Sequence, residues 1–243
     1  MVRALAVMWA RNEGDIIERV IEYLDHQGID VLVCENWSDD ETWESVEYRA
    51  LDFDYSPYPL RIERWPLVRP ASSSWAEMLR FTEITAQREA MRGYDWILHH
   101  DADEFRSSSR PGERLIDAIA RLDAEGYTAI NHRVNVYKPA PEWDGSTDPR
   151  EAMTERYADH VDYHNFQVKC WKQPPDVRVD LAGSAGHSVS FPGIRVAPEL
   201  LVMDHYPLRG REQMARKLAA RERWDAEERA RGWHLPHEER VKA

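Results

Sequence analysis

Apolar residues recur along this chain in two rhythms, and their alternation predicts a mixed α/β fold. Residues 4 to 10 form a short apolar run that ends in a polar turn, Arg11-Asn12-Glu13-Gly14-Asp15. After it Ile16, Ile17, Val20, Ile21 and Leu24 fall on one face of a helix, and Gly28 stands where a left-handed cap closes such a helix. Residues 30 to 34 give a second strand, so the opening is a strand, helix, strand unit with a right-handed connection and parallel strands. Residues 43 to 51 predict a short helix, 52 to 60 with two prolines a loop, and 61 to 65 a third strand. Ser74-Trp75-Ala76-Glu77 is a capping box, a hydroxyl at the cap and a carboxylate three residues on. It opens a helix to about Met91, with Met78, Phe81, Ile84 and Thr85 expected inward and Gly93 as its stop.

The second half is less regular. Trp96 to Leu98 is a run short enough for a buried strand. Residues 111 to 125 predict an amphipathic helix with Leu115, Ile116, Ile119 and Leu122 in register, and 127 to 137 a strand. Residues 139 to 165 carry prolines, Trp143, Asp144-Gly145-Ser146, Tyr157, Tyr163 and histidines without a clean period. A loop of that length in a globular chain is functional or disordered, and the aromatic content argues against disorder. Strands are expected again at 167 to 172 and 200 to 204. Residues 210 to 231 read as one charged helix whose Arg and Glu pairs form a solvated face. No repeat or low-complexity segment interrupts the pattern.

Composition narrows the picture. With 243 residues, 42% of them hydrophobic and 31% charged, the chain has ample length for a proper core. A formal charge of -12 argues against nucleic acid or an anionic membrane as main partner. An anionic substrate would need a local cation. The first residues superficially suggest a signal peptide, but the apolar run stops at Arg11 and reads better as a strand. No segment approaches the roughly 18 apolar residues of a membrane span. Cys34 and Cys170 form no Cys-x-x-Cys pair, so a reduced cytoplasmic protein is the expectation.

The chemistry concentrates at strand ends. Trp96 to Leu98 leads directly into His99, His100, Asp101, Asp103 and Glu104, and open α/β sheets collect ligands beyond the carboxyl ends of their strands. If the backbone stays extended, Asp101 and Asp103 share one face and can reach one hard cation or one bridging water. The plain alternative is a solvated acidic turn. The second strand likewise ends in acids, Glu35-Asn36-Trp37-Ser38-Asp39-Asp40-Glu41-Thr42. His205 follows an apolar strand as Asp101 does and can meet it at the same sheet edge, although a lone histidine there is more often a structural hydrogen-bonding residue. An Asp, Asp, His set suits Mg²⁺ or Mn²⁺ better than zinc. There is no Gly-x-Gly-x-x-Gly, no phosphate-loop Gly-Lys-Ser/Thr and no Gly-x-Ser-x-Gly. Gly183-Ser184-Ala185-Gly186 lacks that spacing and reads as a turn.

Arg11-Asn12-Glu13, Glu35 to Thr42 and Trp96 to Phe105 resemble, in order, the nucleotide-sugar glycosyltransferases of the GT-A fold, and within them the compact family 2-like branch. Glu155-Arg156-Tyr157, Lys169, Gly186-His187 and His205-Tyr206-Pro207-Leu208-Arg209 with Lys217 continue the likeness over the whole chain. The resemblance implies a single Rossmann-like domain with a mostly parallel sheet flanked by helices. Residues 1–110 would be the nucleotide-sugar-binding half, and 111–243 the acceptor-binding half with the C-terminal helix. It implies transfer of a sugar, with inversion, from a nucleotide diphospho-sugar to an acceptor hydroxyl or amine, the acceptor being a small molecule or glycan. Arg11, Asn12, Glu13 and Glu35 would surround the nucleoside. Trp37, where the branch has a small residue, would stack on the base. Arg88, Asp101 and Ala102 would meet the diphosphate and sugar, and Asp101, Asp103 and His205 would hold Mn²⁺ or Mg²⁺, with Glu104 behind them. Glu89 departs from the branch, which has Asn there, and Glu35 stands where Asp is usual.

Inversion needs a carboxylate to take the acceptor proton. The irregular region offers Asp144, Glu151 and Asp162, with Asp148 and Asp159 beside them, and does not rank them. Its aromatic groups make Trp143, Tyr157, His164 and His187 the acceptor-site candidates. Two alternatives stay open at this point: a nucleotidyltransferase of related fold, and a catalytically silent sugar-binding or partner-docking protein.

Overall fold

A computed structural model describes residues 1–51, 59–157, 166–220 and 224–230. Its frame is a curled sheet of eight strands in the order β3-β2-β1-β4-β7-β6-β8-β5, flanked by helices. The strands are β1 (Ala4–Ala10), β2 (Asp30–Glu35), β3 (Leu60–Arg64), β4 (Trp96–Asp101), β5 (Glu104–Ser107), β6 (Ala129–Val136), β7 (Phe166–Lys172) and β8 (Val196–His205). The helices are α1 (Ile17–His26), α2 (Thr42–Leu51), α3 (Trp75–Met91), α4 (Leu115–Ala124), α5 (Pro149–Ala152), α6 (Arg211–Ala219) and α7 (Ala226–Ala230).

β1 and β2 are buried on both faces, which is why they read as continuous apolar runs. One layer packs the α1 stripe Ile17, Val20, Ile21 and Leu24 and the α4 stripe Leu115, Ala118, Ile119 and Leu122 against the sheet. The other layer sets Met78, Leu79 and Ala86 of α3, with Val179, Leu181, Val189 and Phe191, against Leu5, Val7, Ile97 and Trp171. Ser74 caps α3 by accepting the Glu77 N–H at 3.3 Å, as the capping box predicts.

The α/β expectation of a mostly parallel sheet holds. β1 to β4 are parallel and β6 is parallel to β8, while β7 runs antiparallel to both β4 and β6, and β5 antiparallel to β8, so the sheet is not wholly parallel. Ile84 of α3 is 61% exposed, and the inward face instead buries Glu83 and Glu89. Glu83 accepts the Leu181 N–H at 2.9 Å, and Glu89 pairs with Arg61 at 2.8 Å. The charged C-terminal stretch is not one helix. α6 and α7 are separate elements, and each turns an ionic side chain inward.

The parallel half aligns its carboxyl ends. Ala10 lies opposite Glu35, Glu35 opposite Arg64, and Trp9 opposite Asp101. β4 does not stop at Leu98. It continues through His99 and His100, which are fully buried, and turns at Ala102-Asp103 straight into β5.

Candidate functional site

Two unusual backbones shape the ends of β1 and β2. Asn12 and Trp37 both have φ of 55°. Asparagine tolerates that conformation; a bulky tryptophan is an outlier there, and such strain concentrates at functional sites. The two turns are tied together, because Asn12 N–H donates to Ser38 Oγ at 3.0 Å and Asp39 N–H to Asn12 Oδ1 at 2.7 Å. Arg11 donates to Asn36 Oδ1 at 3.0 Å and to Ser73 Oγ at 2.9 Å, and it lines a cleft of about 230 Å³ with Arg69, Pro70, Ala71, Ser72 and Ser73. Glu35 is fully buried, its carboxylate taken up by the Ser38 N–H and by Arg64 at 2.8 Å. Its role is to hold the turn that carries Trp37. Arg64 in turn lies 4.8 Å from the Trp37 ring and 4.0 Å from that of Trp43.

At the end of β4 the expected face is broken. The turn at Ala102-Asp103 ends the extended backbone, and Asp101 and Asp103 are handed to different neighbours. Asp101 accepts from Lys169 Nζ of β7 at 2.7 Å, and the same ammonium reaches Glu104 at 2.8 Å. Glu104 also holds Arg106 at 2.5 Å. Asp103 faces β8 and α6: His205 Nε2 is 3.2 Å away, Lys217 Nζ 2.8 Å and Arg209 Nη1 3.9 Å. Arg209, fully buried, joins this cluster to the first turn through Glu13 at 2.5 Å and Asp15 at 2.7 Å, and Lys217 also reaches Glu13 at 3.3 Å. The ends of β1, β4 and β8 and the helix α6 thus share one ion network, whose members come from positions up to 204 residues apart.

The network sets the charge states. Burial alone would raise Asp103, but Lys217, His205 and Arg209 hold its carboxyl well below the usual range. Glu104 is likewise held well below its usual range against burial, by Lys169 and Arg106. Burial pushes Glu13 up, and Lys217 and Arg209 offset only part of it. Burial also keeps His99, His100 and His132 neutral, with His100 and His132 each lowered to about 3.

The donor set does not fit the divalent cation expected of it. Mg²⁺ needs converging oxygen ligands at about 2.0–2.1 Å. Asp101 and Asp103 face different strands, each with an ammonium already on it, and the His205 ring pairs with Asp103. Among the described residues no group of three His, Cys, Asp or Glu side chains is arranged to hold a metal ion. His99 packs against the Trp75 ring at 5.8 Å, and His100 Nδ1 meets the Asp101 carbonyl at 2.8 Å, so both serve the buried layers.

Other expected residues are scattered. Arg88 pairs with Glu63 at 3.1 Å and Glu89 at 3.0 Å near the C-terminal end of α3, roughly 20 Å along the helix from its cap at the strand ends. It does not reach the acidic turn. Trp143 packs on the α1 and α4 layer and donates to the Thr147 carbonyl at 3.1 Å. Tyr157 lies under Lys138, 6.0 Å from its ring, while His187 belongs to the segment covering the opposite, α3 layer. The loop carrying Asp144, which leads into α5 with Glu151, runs beside the network: Gly145 abuts Asp15, and Arg19 donates to the Ser146 carbonyl at 3.2 Å. Asp144 is exposed and is held below its usual range by the Ser146 hydroxyl and N–H. Asp162 and His164, with Asp159 and Tyr163, lie outside the described residues.

The reading of 210 to 231 as a solvated face did not turn Lys217, named only through the family likeness, or Glu228 inward. The Glu228 carboxylate, buried, accepts from Ser74 Oγ at 2.9 Å, Trp75 N–H at 2.9 Å and Ala76 N–H at 2.8 Å, closing the start of α3 with negative charge where the helix dipole favours it. No local pattern announces either contact, since both partners are far away in sequence. Among the described residues no helix is long and apolar enough to cross a membrane, and Cys34 and Cys170 are free and buried.

No family model matches the chain, and no match to a curated protein is found. Among solved structures the chain is similar to the mannosyltransferase PcManGT from Pyrobaculum calidifontis, solved with GDP-Man and Mn2+. The identity is 17% and the TM-score 0.41, with 80% of this chain and 56% of that chain covered, so this chain spans little more than half of that relative. It is also similar to a UDP-glucose pyrophosphorylase solved with UDP-glucose, at 10% identity and a TM-score of 0.34, covering 78% of this chain and 74% of that chain. At these values neither likeness specifies a reaction.

Proposed function

We propose that this protein is a glycosyltransferase that moves a sugar from a nucleotide diphospho-sugar to an acceptor hydroxyl or amine, with inversion. The observation that carries the reading is the convergence, at the carboxyl edge of β1, β2 and β4, of strained and ionic turns with the cationic side chains of Arg209, which follows β8, and Lys217 of α6. Arg11, Asn12 and Glu13, with Trp37 held by Glu35, would bound the nucleoside beside the cleft at Ser73. Asp101 and Ala102 would face the sugar and diphosphate.

The acceptor oxygen or nitrogen bonds to the anomeric carbon while the bond from that carbon to the diphosphate oxygen breaks. The nucleoside diphosphate leaves with the electron pair, and a carboxylate takes the acceptor proton. Asp144, Glu151 and Asp162 are the candidates for that base, and Trp143, Tyr157, His164 and His187 for acceptor contact. Residues 1–110 would supply most of the donor site and 111–243 most of the acceptor site. No step is assigned to a divalent cation, because Asp101 and Asp103 are each engaged by a lysine.

A thermal-shift screen of UDP-, GDP-, dTDP- and CDP-sugars tests the proposal, since a donor at 100 times its Kd stabilises the native state by about 2.7 kcal/mol. One nucleotide sugar should raise the melting temperature. No shift with any of them contradicts the reading, and pyrophosphate release from a nucleoside triphosphate and sugar phosphate would replace it with nucleotidyl transfer.

A further inference from the structure

We infer that Lys217, on α6, supplies the positive charge that meets the donor's diphosphate at the acidic turn, so that nucleotide binding does not require a divalent cation. This inference rests on the nucleotide-sugar reading and deepens it.

A nucleoside diphosphate brought to Asp101, Asp103 and Glu104 would be repelled unless cations stood between them. In this chain the cations are covalent parts of the fold. Lys169 is fixed by Asp101 and Glu104 and is almost wholly buried, which leaves it as an internal counter-ion. Lys217 differs. Its ammonium bridges Asp103 and Glu13, at 2.8 and 3.3 Å, joining the β4 and β1 ends that would flank a donor, and 31% of its side chain remains exposed. Lysine carries three donors on one point charge, which suits contact with several phosphate oxygens.

The backbone supports the same assignment. α6 begins directly after Arg209, whose guanidinium is locked to Glu13 and Asp15, and Arg209 N–H donates to Gln213 Oε1 at 3.1 Å inside the first turn of the helix. Arg211 N–H donates to the Pro141 carbonyl at 3.1 Å. The helix that presents Lys217 is therefore anchored at its start. A bound cation would need Asp101 released from Lys169 and Asp103 from Lys217 and the two carboxylates swung toward each other, which strips each ammonium of one of its two partners.

The test is isothermal titration with UDP, GDP, dTDP and CDP, in EDTA and again in Mn²⁺, on the wild-type chain, Lys217→Ala and Lys217→Arg, with melting temperatures measured in parallel. The expected result is one nucleotide bound by the wild type with the same affinity in EDTA and Mn²⁺ within about twofold. Lys217→Ala should weaken it at least tenfold in EDTA and Lys217→Arg should keep most of it. A wild-type affinity that vanishes in EDTA overturns the inference and leaves the glycosyltransferase reading standing, and so does a folded Lys217→Ala that binds like the wild type. No binding under either condition removes that reading and this inference with it. The EDTA arm on the wild type needs no variant, so a destabilised Lys217→Ala does not blunt the test.

Discussion

The Lys217 ammonium lies 2.8 Å from the Asp103 carboxylate, so a helix read as solvated reaches the turn at the end of β4. Asp103→Asn keeps the shape and takes from Lys217 and Arg209 one of the two carboxylates they share, leaving Glu13. Breaking one side of a buried ion pair costs about 3–5 kcal/mol. Part of Lys217 is solvated, so a loss of about 3 kcal/mol is expected in urea unfolding. A change below about 1 kcal/mol would mean the pair contributes little.

Glu228→Gln tests the closure of α3. The carboxylate accepts from Ser74, Trp75 and Ala76 at the positive end of the helix dipole. An amide keeps one acceptor and loses the charge, which costs about 1 kcal/mol. Hydrogen exchange at the Trp75 and Ala76 amides should quicken severalfold. Unchanged exchange would show that Ser74 alone holds the helix start.

Buried histidines predict acid sensitivity. His100 and His132 stay neutral down to about 3 in the folded chain, and burial holds His99 well below its ordinary value. In the unfolded chain each takes a proton near pH 6.5. Between these values the unfolded state binds more protons, so each contributes up to about 1.4 kcal/mol of lost stability per pH unit as pH falls. Glu13 and Asp101, whose carboxyls burial pushes up, act in the opposite sense over part of the window. The melting temperature of the wild type should therefore drop from pH 6.5 to 5, and that of His132→Asn should drop less steeply. Equal slopes would contradict this assignment.

Gly210→Ala probes the seating of the loop that carries Asp144. A Cβ there would stand 2.0 Å from the Trp143 carbonyl oxygen, a backbone atom that cannot step aside alone. Overpacking of this kind costs about 1–3 kcal/mol, and the loop must shift from Asp15 and the start of α6. A melting temperature equal to the wild type's would mean the loop yields freely.

Particular residues show where sequence reading reaches its limit. The spacing of Ile17, Val20, Ile21 and Leu24 identified α1, and Ser74 with Glu77 identified the cap of α3, because these signals are local. Three strand ends bearing ionic groups also stood out. The turn at Ala102-Asp103 did not, since Asp-x-Asp reads equally as an extended strand or a reversal until Glu104 finds His205 across β5 and β8. Charge is the least legible property. Lys169 and Lys217 enter the sequence reading only through the family likeness, and Glu228 not at all, because each meets its partner more than sixty positions away.

The most direct test of the glycosyl-transfer account is phosphorus NMR of the nucleotide sugar that gives the thermal shift, incubated with the chain and a panel of sugar acceptors. The donor's paired phosphorus signals should give way to those of the free nucleoside diphosphate, faster with one acceptor than with water alone. A donor bound but unchanged after prolonged incubation with every acceptor would contradict it.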